Sequence, residues 1–163
     1  MKGDGDGTMG SNGEHHVLES DAAAISVHLN TIVTVENGTF NPPWKKEDFQ
    51  ACLESSTGQA MILLAKGRLA GYLFAQTVAD ETQINKICVS VEYRGKGFGE
   101  MLLRKFIARQ NGDRHDYFLE VDSGNIPAVN LYRKTGFTVI RVRKAVYESG
   151  ADALEMVLEK KGW

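Results

Sequence analysis

The sequence predicts an α/β (α+β) fold, with a central mixed, mostly antiparallel twisted sheet of about six or seven strands flanked by about four helices. Two observations lead to this prediction. Runs 59–65, 69–78 and 82–91 are apolar, have the length of strands and are separated by short polar turns, as in an antiparallel meander. The third run is followed by a glycine-rich turn, a segment with helical apolar spacing and another strand-length run, which together indicate a βαβ unit.

Composition places the chain among globular proteins of one domain. Its 163 residues, 42% hydrophobic and 25% charged, are enough to enclose one core. The 19 basic and 21 acidic side chains give a net charge near −2, which argues against nucleic acid or an anionic membrane as the main partner. No apolar run has the length of a spanning helix and no signal peptide is evident, so we expect a cytoplasmic protein.

The N-terminal residues 1–14 are rich in glycine and polar side chains, without apolar periodicity. We expect a disordered tail, native or left from an expression vector, followed by a single domain over 15–163. His15 and His16 stand at the edge of this tail without metal-binding partners at a suitable spacing, so we expect no metal site. The two cysteines, Cys52 and Cys88, are too few for a disulfide framework and are expected to be reduced.

The first patterned segment, which begins near residue 20, favours a helix. Ser20 is a suitable N-cap, and the Asn-Gly pair at 37–38 ends the pattern. The residues at helical spacing are Ile25, Leu29, Ile32, Val33 and Glu36. The β-branched run 31–35 locally favours a strand, and this alternative stays open. After two prolines, residues 44–55 predict a short amphipathic helix.

The remaining elements follow the same reasoning. Apolar spacing predicts helices over 98–107 and 126–136, and strands over 116–121, 137–147 and 152–160. Pro127 is tolerated in the first turn of the last helix, and Gly136 is suited to its C-terminal end.

The glycine-rich turn after the third strand is the most informative stretch. Gly95, Gly97 and Gly99 leave backbone N–H groups uncovered beside the positive end of a helix dipole, a geometry that suits a phosphate or pyrophosphate. Arg94 and Lys96 add positive charge at its rim. An ordinary tight turn is the alternative interpretation, because glycine-rich loops are common.

Two well-known phosphate loops do not fit these residues. A P-loop requires Ser or Thr after Gly-Lys, whereas Lys96 is followed by Gly97. A dinucleotide-binding loop requires a third glycine, but Glu100 or Leu102 stands at that position. Glu120 lies about 20 residues further on, where a dinucleotide-binding fold has its ribose-binding acid. In that fold, however, the strand before the loop begins a βαβ crossover, whereas here it ends an antiparallel meander.

The stretch V-x-x-x-x-R-G-K-G-F-G, followed at a distance by LEVDSGNIPAVNLYRKTGF, resembles the GCN5-related N-acetyltransferase (GNAT) superfamily. That superfamily recognises the pyrophosphate of acetyl-CoA through an Arg/Gln-x-x-Gly-x-Gly/Ala loop, and Arg94, Gly97 and Gly99 occupy its defining positions. The resemblance covers roughly residues 20–160. It implies the GNAT fold, a single N-acetyltransferase domain over 15–163 and acetyl-CoA as co-substrate, with no metal.

Within the superfamily, NPPWKKEDF, NLYRKTGF and DALEMVL look most like the bacterial ribosomal-protein alanine N-acetyltransferases (RimI-like), which acetylate an N-terminal α-amine. In those enzymes the acceptor is framed by the loop before the second helix, here with Trp44, and by the hairpin between the last strands, here with Tyr147. That hairpin usually carries adjacent tyrosines, whereas Val146 precedes Tyr147 in this chain and Glu148 follows it. The identity of the acceptor therefore stays open.

Acetyl transfer to an amine needs a proton acceptor, a hydrogen-bond donor for the thioester oxygen and stabilisation of the leaving thiolate. The resemblance implies that Glu120 is the general base, that Tyr132 protonates or hydrogen-bonds the thiolate, and that a backbone N–H near Val89 binds the oxygen. A solvated strand residue is the alternative interpretation of Glu120, and taken alone Tyr132 is more typical of a core residue.

The same resemblance implies which residues contact acetyl-CoA. The expected set is Ile87, Cys88, Val89, Arg94, Gly95, Lys96, Gly97, Phe98, Gly99, Glu100 and Asn125. Ile87 and Cys88 would hold the pantetheine as if it were one more strand. Asn125 is also suited to be a helix N-cap, and both roles can hold. Cys88 as a covalent nucleophile is an alternative, but the sequence places no histidine beside it.

The sequence thus predicts an acetyl-CoA-dependent N-acetyltransferase that acts on a protein N-terminal amine, such as that of a ribosomal protein. A small-molecule amine acetyltransferase of the polyamine or antibiotic type is one alternative. A non-catalytic acyl-CoA-binding module is another. The presence of both Glu120 and Tyr132 favours an enzyme.

Overall fold

A computed structural model describes residues 16–110 and 114–160, and the predicted tail over 1–14 lies outside them. In this part of the chain, one sheet is built from β1 (His16–Glu19), β2 (Gly58–Ala65), β3 (Arg68–Val78), β4 (Glu81–Val89), β5 (His115–Asp122), β6 (Thr138–Arg143) and β7 (Ala153–Lys160). The helices are α1 (Ala22–Ser26), α2 (Leu29–Thr39), α3 (Lys46–Glu54), α4 (Phe98–Ala108) and α5 (Ile126–Lys134).

The strand order across the sheet is β1-β2-β3-β4-β5-β7-β6. Among the described strands, β4 and β5 are the one parallel pair, and every other neighbouring pair is antiparallel. The predicted meander is β2-β3-β4, and the predicted βαβ unit is β4-α4-β5. The mixed, mostly antiparallel sheet is therefore confirmed.

Each face of the sheet packs against its own helices. One apolar cluster joins α4 and α5 to the sheet and includes Phe98, Leu102, Phe106, Tyr117, Leu119, Val121, Val129 and Tyr132. A second cluster joins α1, α2 and α3 to the opposite face and includes Ile25, Leu29, Ile32, Phe49, Tyr72, Phe74 and Cys88. We call these the α4–α5 face and the α1–α3 face.

The first helical segment differs from the prediction in two ways. It is divided into α1 and α2 by a turn at His28, and Asp21 rather than Ser20 is the N-cap of α1, because its carboxylate accepts from the Ala24 N–H at 3.0 Å. The Asn-Gly pair at 37–38 does not end α2, which continues to Thr39.

The open alternative of a strand over residues 31–35 is wrong. These residues lie within α2, although all five of them are β-branched. Leu29, Ile32 and Glu36 are buried along one side of the helix. Burial of this helical stripe therefore outweighs the local preference for extended backbone.

The two ends of the sheet also differ from prediction. Strand β1 was not predicted, and His16, which seemed to belong to the edge of the tail, is its first residue. Strand β6 ends at Arg143 instead of continuing to Tyr147. Ala145 has φ of 51° and donates its N–H to the Asp152 carboxylate at 3.0 Å, so a turn replaces the extended backbone there.

Candidate active site

Strands β4 and β5 separate along their length, and we call the resulting opening the β4–β5 gap. They pair only through residues 81–83 of β4 and 116–118 of β5. Asn85 lies two residues after this pairing and is an extra residue of β4 relative to β3, because the register shifts there. A bulge of this kind bends its own strand, which accounts for the separation. The edge of β4 over 84–89 therefore has no strand partner in β5.

The glycine loop lies at the open end of this gap. Gly95 and Gly97 have φ of 74° and 80°, and Gly97 is the N-cap of α4. No atom lies within 4 Å of where a Cβ would stand on either residue, so glycine is needed there for backbone conformation and not for lack of space. Gly99 is different: a Cβ would stand 3.2 Å from the Leu131 side chain of α5. The first N–H groups of α4 have no partners within the helix and face this loop.

The charged side chains of the loop have different environments. Arg94 is exposed, and its Nε donates to the Val89 carbonyl oxygen at 2.9 Å, which ties the loop to the end of β4. The Lys96 ammonium lies 5.7 Å from the centroid of the Tyr93 ring. Both therefore keep positive charge at the mouth of the gap.

Two other residues of the predicted acetyl-CoA site have side chains that make contacts within the protein. Phe98 is buried, so its backbone rather than its ring is available to a ligand. The Glu100 carboxylate pairs with Arg104 at 2.9 Å and with Lys134 at 2.8 Å. Glu100 thus joins α4 to α5, and these cations lower the pKa of its carboxyl group.

Tyr132 of α5 lies on the α4–α5 face beside the gap. It is 5% exposed, and its ring packs in a tilted arrangement with its centroid 5.9 Å from that of Phe137. Within residues 16–110 and 114–160 its hydroxyl makes no hydrogen bond. Burial and the nearby Cys88 raise the pKa of the phenol. Tyr132 therefore offers a protonated donor that the folded chain does not use.

The end of β4 presents its backbone to the gap and its side chains to the two faces. Ile87 and Val89 pack against the α4–α5 face, whereas Cys88 is buried on the α1–α3 face. Burial raises the pKa of the Cys88 thiol. A thiol held in its protonated form is a poor nucleophile, which argues against the covalent route.

Glu120 is placed differently from Tyr132. Its neighbours Leu119 and Val121 enter the α4–α5 face, so Glu120 points to the opposite, α1–α3 face, where its side chain is 34% exposed. Its carboxylate pairs with the Arg143 guanidinium of β6. The Glu120 carboxylate and the Tyr132 phenol are thus presented from opposite faces of the sheet, on either side of β5.

Two partners of Glu120 were not predicted from the sequence. Glu155 of β7 stands directly opposite Glu120 in the antiparallel register. Arg143 bridges the two carboxylates, with its Nε 3.3 Å from Glu155. Like charges placed opposite each other in a sheet are unfavourable, and this arginine offsets them. Only the strand register brings these three residues together, and no local sequence signal marks it.

Tyr147 lies in the connection between β6 and β7, close to the same cluster. Burial and the charges of Glu120 and Asp122 raise the pKa of its phenol. Asn125 is the N-cap of α5, since its Oδ1 accepts from the Ala128 N–H at 3.3 Å. The N-cap interpretation of Asn125 is therefore confirmed, while its contact with acetyl-CoA stays a prediction.

Trp44 lies in the connection between α2 and α3, residues 40–45, which we call the 40–45 loop. Its ring packs at 5.2 Å from Phe49 and 6.5 Å from Phe74. It also borders an open cleft of about 370 Å³, lined by Trp44, Asp48, Ala51, Cys52, Gln76 and the bulge residue Asn85. Trp44 is thus partly structural and partly accessible.

The described residues give two further findings. In the described part of the chain, no three His, Cys, Asp or Glu side chains are grouped so that they could hold a metal ion. None of the helices there combines the length and the apolar character needed to cross a membrane.

Residues 29–137 match the acetyltransferase (GNAT) family. A Bacillus subtilis protein, provisionally named a ribosomal protein bS18-alanine N-acetyltransferase, is 34% identical over 85% of this chain and 96% of its own length. A Mycobacterium tuberculosis protein named N-alpha-acetyltransferase RimI is 33% identical over 70% of this chain and 74% of its own. The crystal structure of the Escherichia coli ribosomal-protein alanine N-acetyltransferase is similar, with a TM-score of 0.80 and 25% identity over 91% of this chain and 96% of that one.

Proposed function

The chain belongs to the acetyltransferase (GNAT) family, and we propose that it transfers the acetyl group of acetyl-CoA to the N-terminal α-amine of a protein. One observation carries the choice of acceptor. The relative with 34% identity, matched over 96% of its length, is named for acetylating the alanine of a ribosomal protein. A ribosomal protein N-terminus is therefore the acceptor class that we propose, and it would be met in the cytoplasm.

The donor side of the proposal uses the β4–β5 gap. The free edge of β4 over 84–89 offers backbone groups to an extended pantetheine chain, in the way that an added strand pairs with an open edge. The glycine loop over 94–99 and the start of α4 offer N–H groups and positive charge to the pyrophosphate. Side chains at 87–89 need not contact the ligand for this, because the backbone makes the bonds.

In the proposed reaction, the neutral amine nitrogen attacks the thioester carbonyl, a C–N bond forms and the C–S bond breaks. Glu120 accepts the proton that the nitrogen loses, directly or through water. The backbone N–H near Val89 stabilises the carbonyl oxygen as it gains charge. The Tyr132 hydroxyl donates a hydrogen bond to the departing thiolate sulfur, and the absence of a partner for it among the described residues supports this role.

The acceptor side of the proposal lies between the 40–45 loop and the β6–β7 connection. Tyr147 and Glu120 border it on the β5 side, and Trp44 borders it on the other. The pairing of Glu120 with Arg143 holds the carboxylate in one orientation beside β6.

The test compares peptides that begin with a free alanine, identical peptides with a blocked N-terminus and an internal lysine, and spermidine. Activity with the free N-terminus alone supports the proposal. Equal activity on the blocked peptide, or activity confined to spermidine, contradicts it. The free CoA thiol released in each reaction is the readout.

The variant Glu120→Gln extends this test to the mechanism. An α-amine has a pKa of about 8 and a lysine of about 10.4, so a large neutral fraction of an α-amine exists near pH 8. We expect the loss of kcat/KM in the variant to be largest below that pH and to be partly recovered above it. Wild-type activity at low pH would remove Glu120 from the mechanism.

A further inference from the structure

Glu36 of α2 is a completely buried carboxylate that the proposed reaction does not use. It is 0% exposed and has three donors. The Lys86 ammonium lies 2.7 Å from its Oε1, the Trp44 backbone N–H donates to the same oxygen at 2.9 Å, and the Tyr72 hydroxyl donates to Oε2 at 2.6 Å. A buried charge is tolerated only with such pairing, so these contacts are specific.

The three donors come from different parts of the fold. Tyr72 belongs to β3, Lys86 to β4 and Trp44 to the 40–45 loop. The Lys86 ammonium also lies 4.1 Å from the centroid of the Phe40 ring and 5.7 Å from that of Trp44. The ion pair therefore contacts both ends of the 40–45 loop and fastens it to the sheet.

This network stands next to the proposed reaction site. Lys86 immediately precedes Ile87 on the free edge of β4, and Tyr72 is opposite Cys88 in the sheet register. Lys86 reaches Glu36 on the α1–α3 face, the face to which Glu120 also points. The loop that it fastens is the one proposed to border the acceptor.

We propose that Glu36 is a positioning residue for the acceptor, because its carboxylate holds the backbone of Trp44 and so fixes the 40–45 loop, while Lys86 supplies the counter-charge. This inference rests on the proposed function. It assigns to Glu36 an effect on acceptor binding in addition to any contribution to folding. A residue that only stabilised the fold would alter the unfolding temperature and leave the KM for the acceptor unchanged.

Two double variants separate these roles. Glu36→Gln/Lys86→Met and Glu36→Leu/Lys86→Met have the same charge and similar side-chain volumes. Only glutamine can still accept from the Trp44 N–H. We expect the leucine variant to raise the KM for the acceptor peptide by about tenfold over the glutamine variant, because a buried donor loses its acceptor. The KM for acetyl-CoA should be the same in both.

Tyr72→Phe is the matched control. It removes the other neutral donor to Glu36 without touching the loop, and we expect the KM for the acceptor to stay at the wild-type value. Thermal unfolding verifies that each variant is folded. If the leucine variant fails to fold, Lys86→Met alone replaces it. That variant leaves the carboxylate without its counter-charge and should raise the same KM.

Fluorescence gives a readout that does not depend on activity. The chain has two tryptophans, so Trp163→Phe leaves Trp44 as the sole reporter. We expect the emission of Trp44 to differ between the leucine and glutamine variants in the absence of substrate. Equal acceptor KM values and equal emission overturn the inference. If the wild-type enzyme does not acetylate the peptide while the Trp44 emission still differs between the leucine and glutamine variants, the proposed function is overturned. The contact of Glu36 with the 40–45 loop is then still supported.

Discussion

Replacement of Tyr132 by phenylalanine is expected to reduce catalysis without reducing stability. The substitution removes one oxygen and keeps a ring that is 5% exposed and packed at 5.9 Å from Phe137. Since the hydroxyl has no partner among the described residues, no hydrogen bond of the folded protein is lost. The unfolding temperature should therefore change little.

The expected effect on rate follows from the charge that develops on the thiolate. A hydrogen bond to a charged group contributes about 1.5–3 kcal/mol, which corresponds to a loss of about 10- to 150-fold in kcat. The KM for acetyl-CoA should change much less, because the bond strengthens only as the C–S bond breaks. Single-turnover measurements ensure that chemistry is observed rather than product release.

Tyr117→Phe is the matched control, since it removes the same atom from a tyrosine whose hydroxyl makes a hydrogen bond within the fold and has no proposed part in the reaction. The Tyr117 hydroxyl donates to the Ile107 carbonyl oxygen at 3.1 Å. Loss of that bond should cost about 1 kcal/mol of stability, or about 2–4 °C in Tm, and leave kcat unchanged. The reasoning is refuted if Tyr132→Phe keeps its single-turnover rate, or if its Tm falls as far as that of the control.

Three further predictions follow from the backbone and from pKa values. Gly97→Ala and Gly67→Ala both place a side chain at positive φ in open space, so each should lose about 1–2 kcal/mol of stability. Only Gly97→Ala should raise the KM for acetyl-CoA. Equal KM values in the two variants would show that the glycine loop does not bind acetyl-CoA. Cys88→Ala should retain most of the wild-type kcat because burial raises the pKa of that thiol, whereas complete loss of activity in a folded variant would restore the covalent route. Burial raises the pKa of Tyr117 to about 12, above the value of about 10 that a tyrosine has in the unfolded chain. The unfolded state therefore loses the Tyr117 proton at a lower pH than the folded state does. The free energy of unfolding should fall as the pH rises from about 10 towards 12. Tyr117→Phe should lose less stability over that range in urea unfolding, and an equal loss would contradict the shift.

The parts of the fold that the sequence predicted are those specified by neighbours in the chain. The glycine loop, α4 and α5 are marked by positive-φ glycines, by apolar spacing and by the Asn125 N-cap, and all of these signals act within a few residues. The meander is equally local, because short polar turns connect its strands. For such elements, pattern and structure agree.

The errors arise where distant residues decide the outcome. The β-branched run at 31–35 is helical because Ile32 and Glu36 are buried against the sheet, and β1 exists because β2 offers it an edge. The same holds for the site. The roles of Glu120 and Tyr132 were predicted from a family resemblance, but the partnership of Glu120 with Arg143 depends on the register of three strands. No short sequence pattern encodes that register.

The early end of pairing between β4 and β5 has a mechanical consequence. Among the described strands, residues 81–83 and 116–118 provide the backbone pairing between β1–β4 and β5–β7, and beyond them side-chain packing on the α4–α5 face holds the two halves of the sheet together. A ligand that bonded to the free edge over 84–89 would add hydrogen bonds in this opening. The free energy of unfolding would then rise with the concentration of the ligand. Hydrogen exchange at 84–89 should slow when CoA is added, while exchange at 81–83 should change little. The opening proposed to admit acetyl-CoA is thus also the place where the two halves of the sheet have the least backbone pairing.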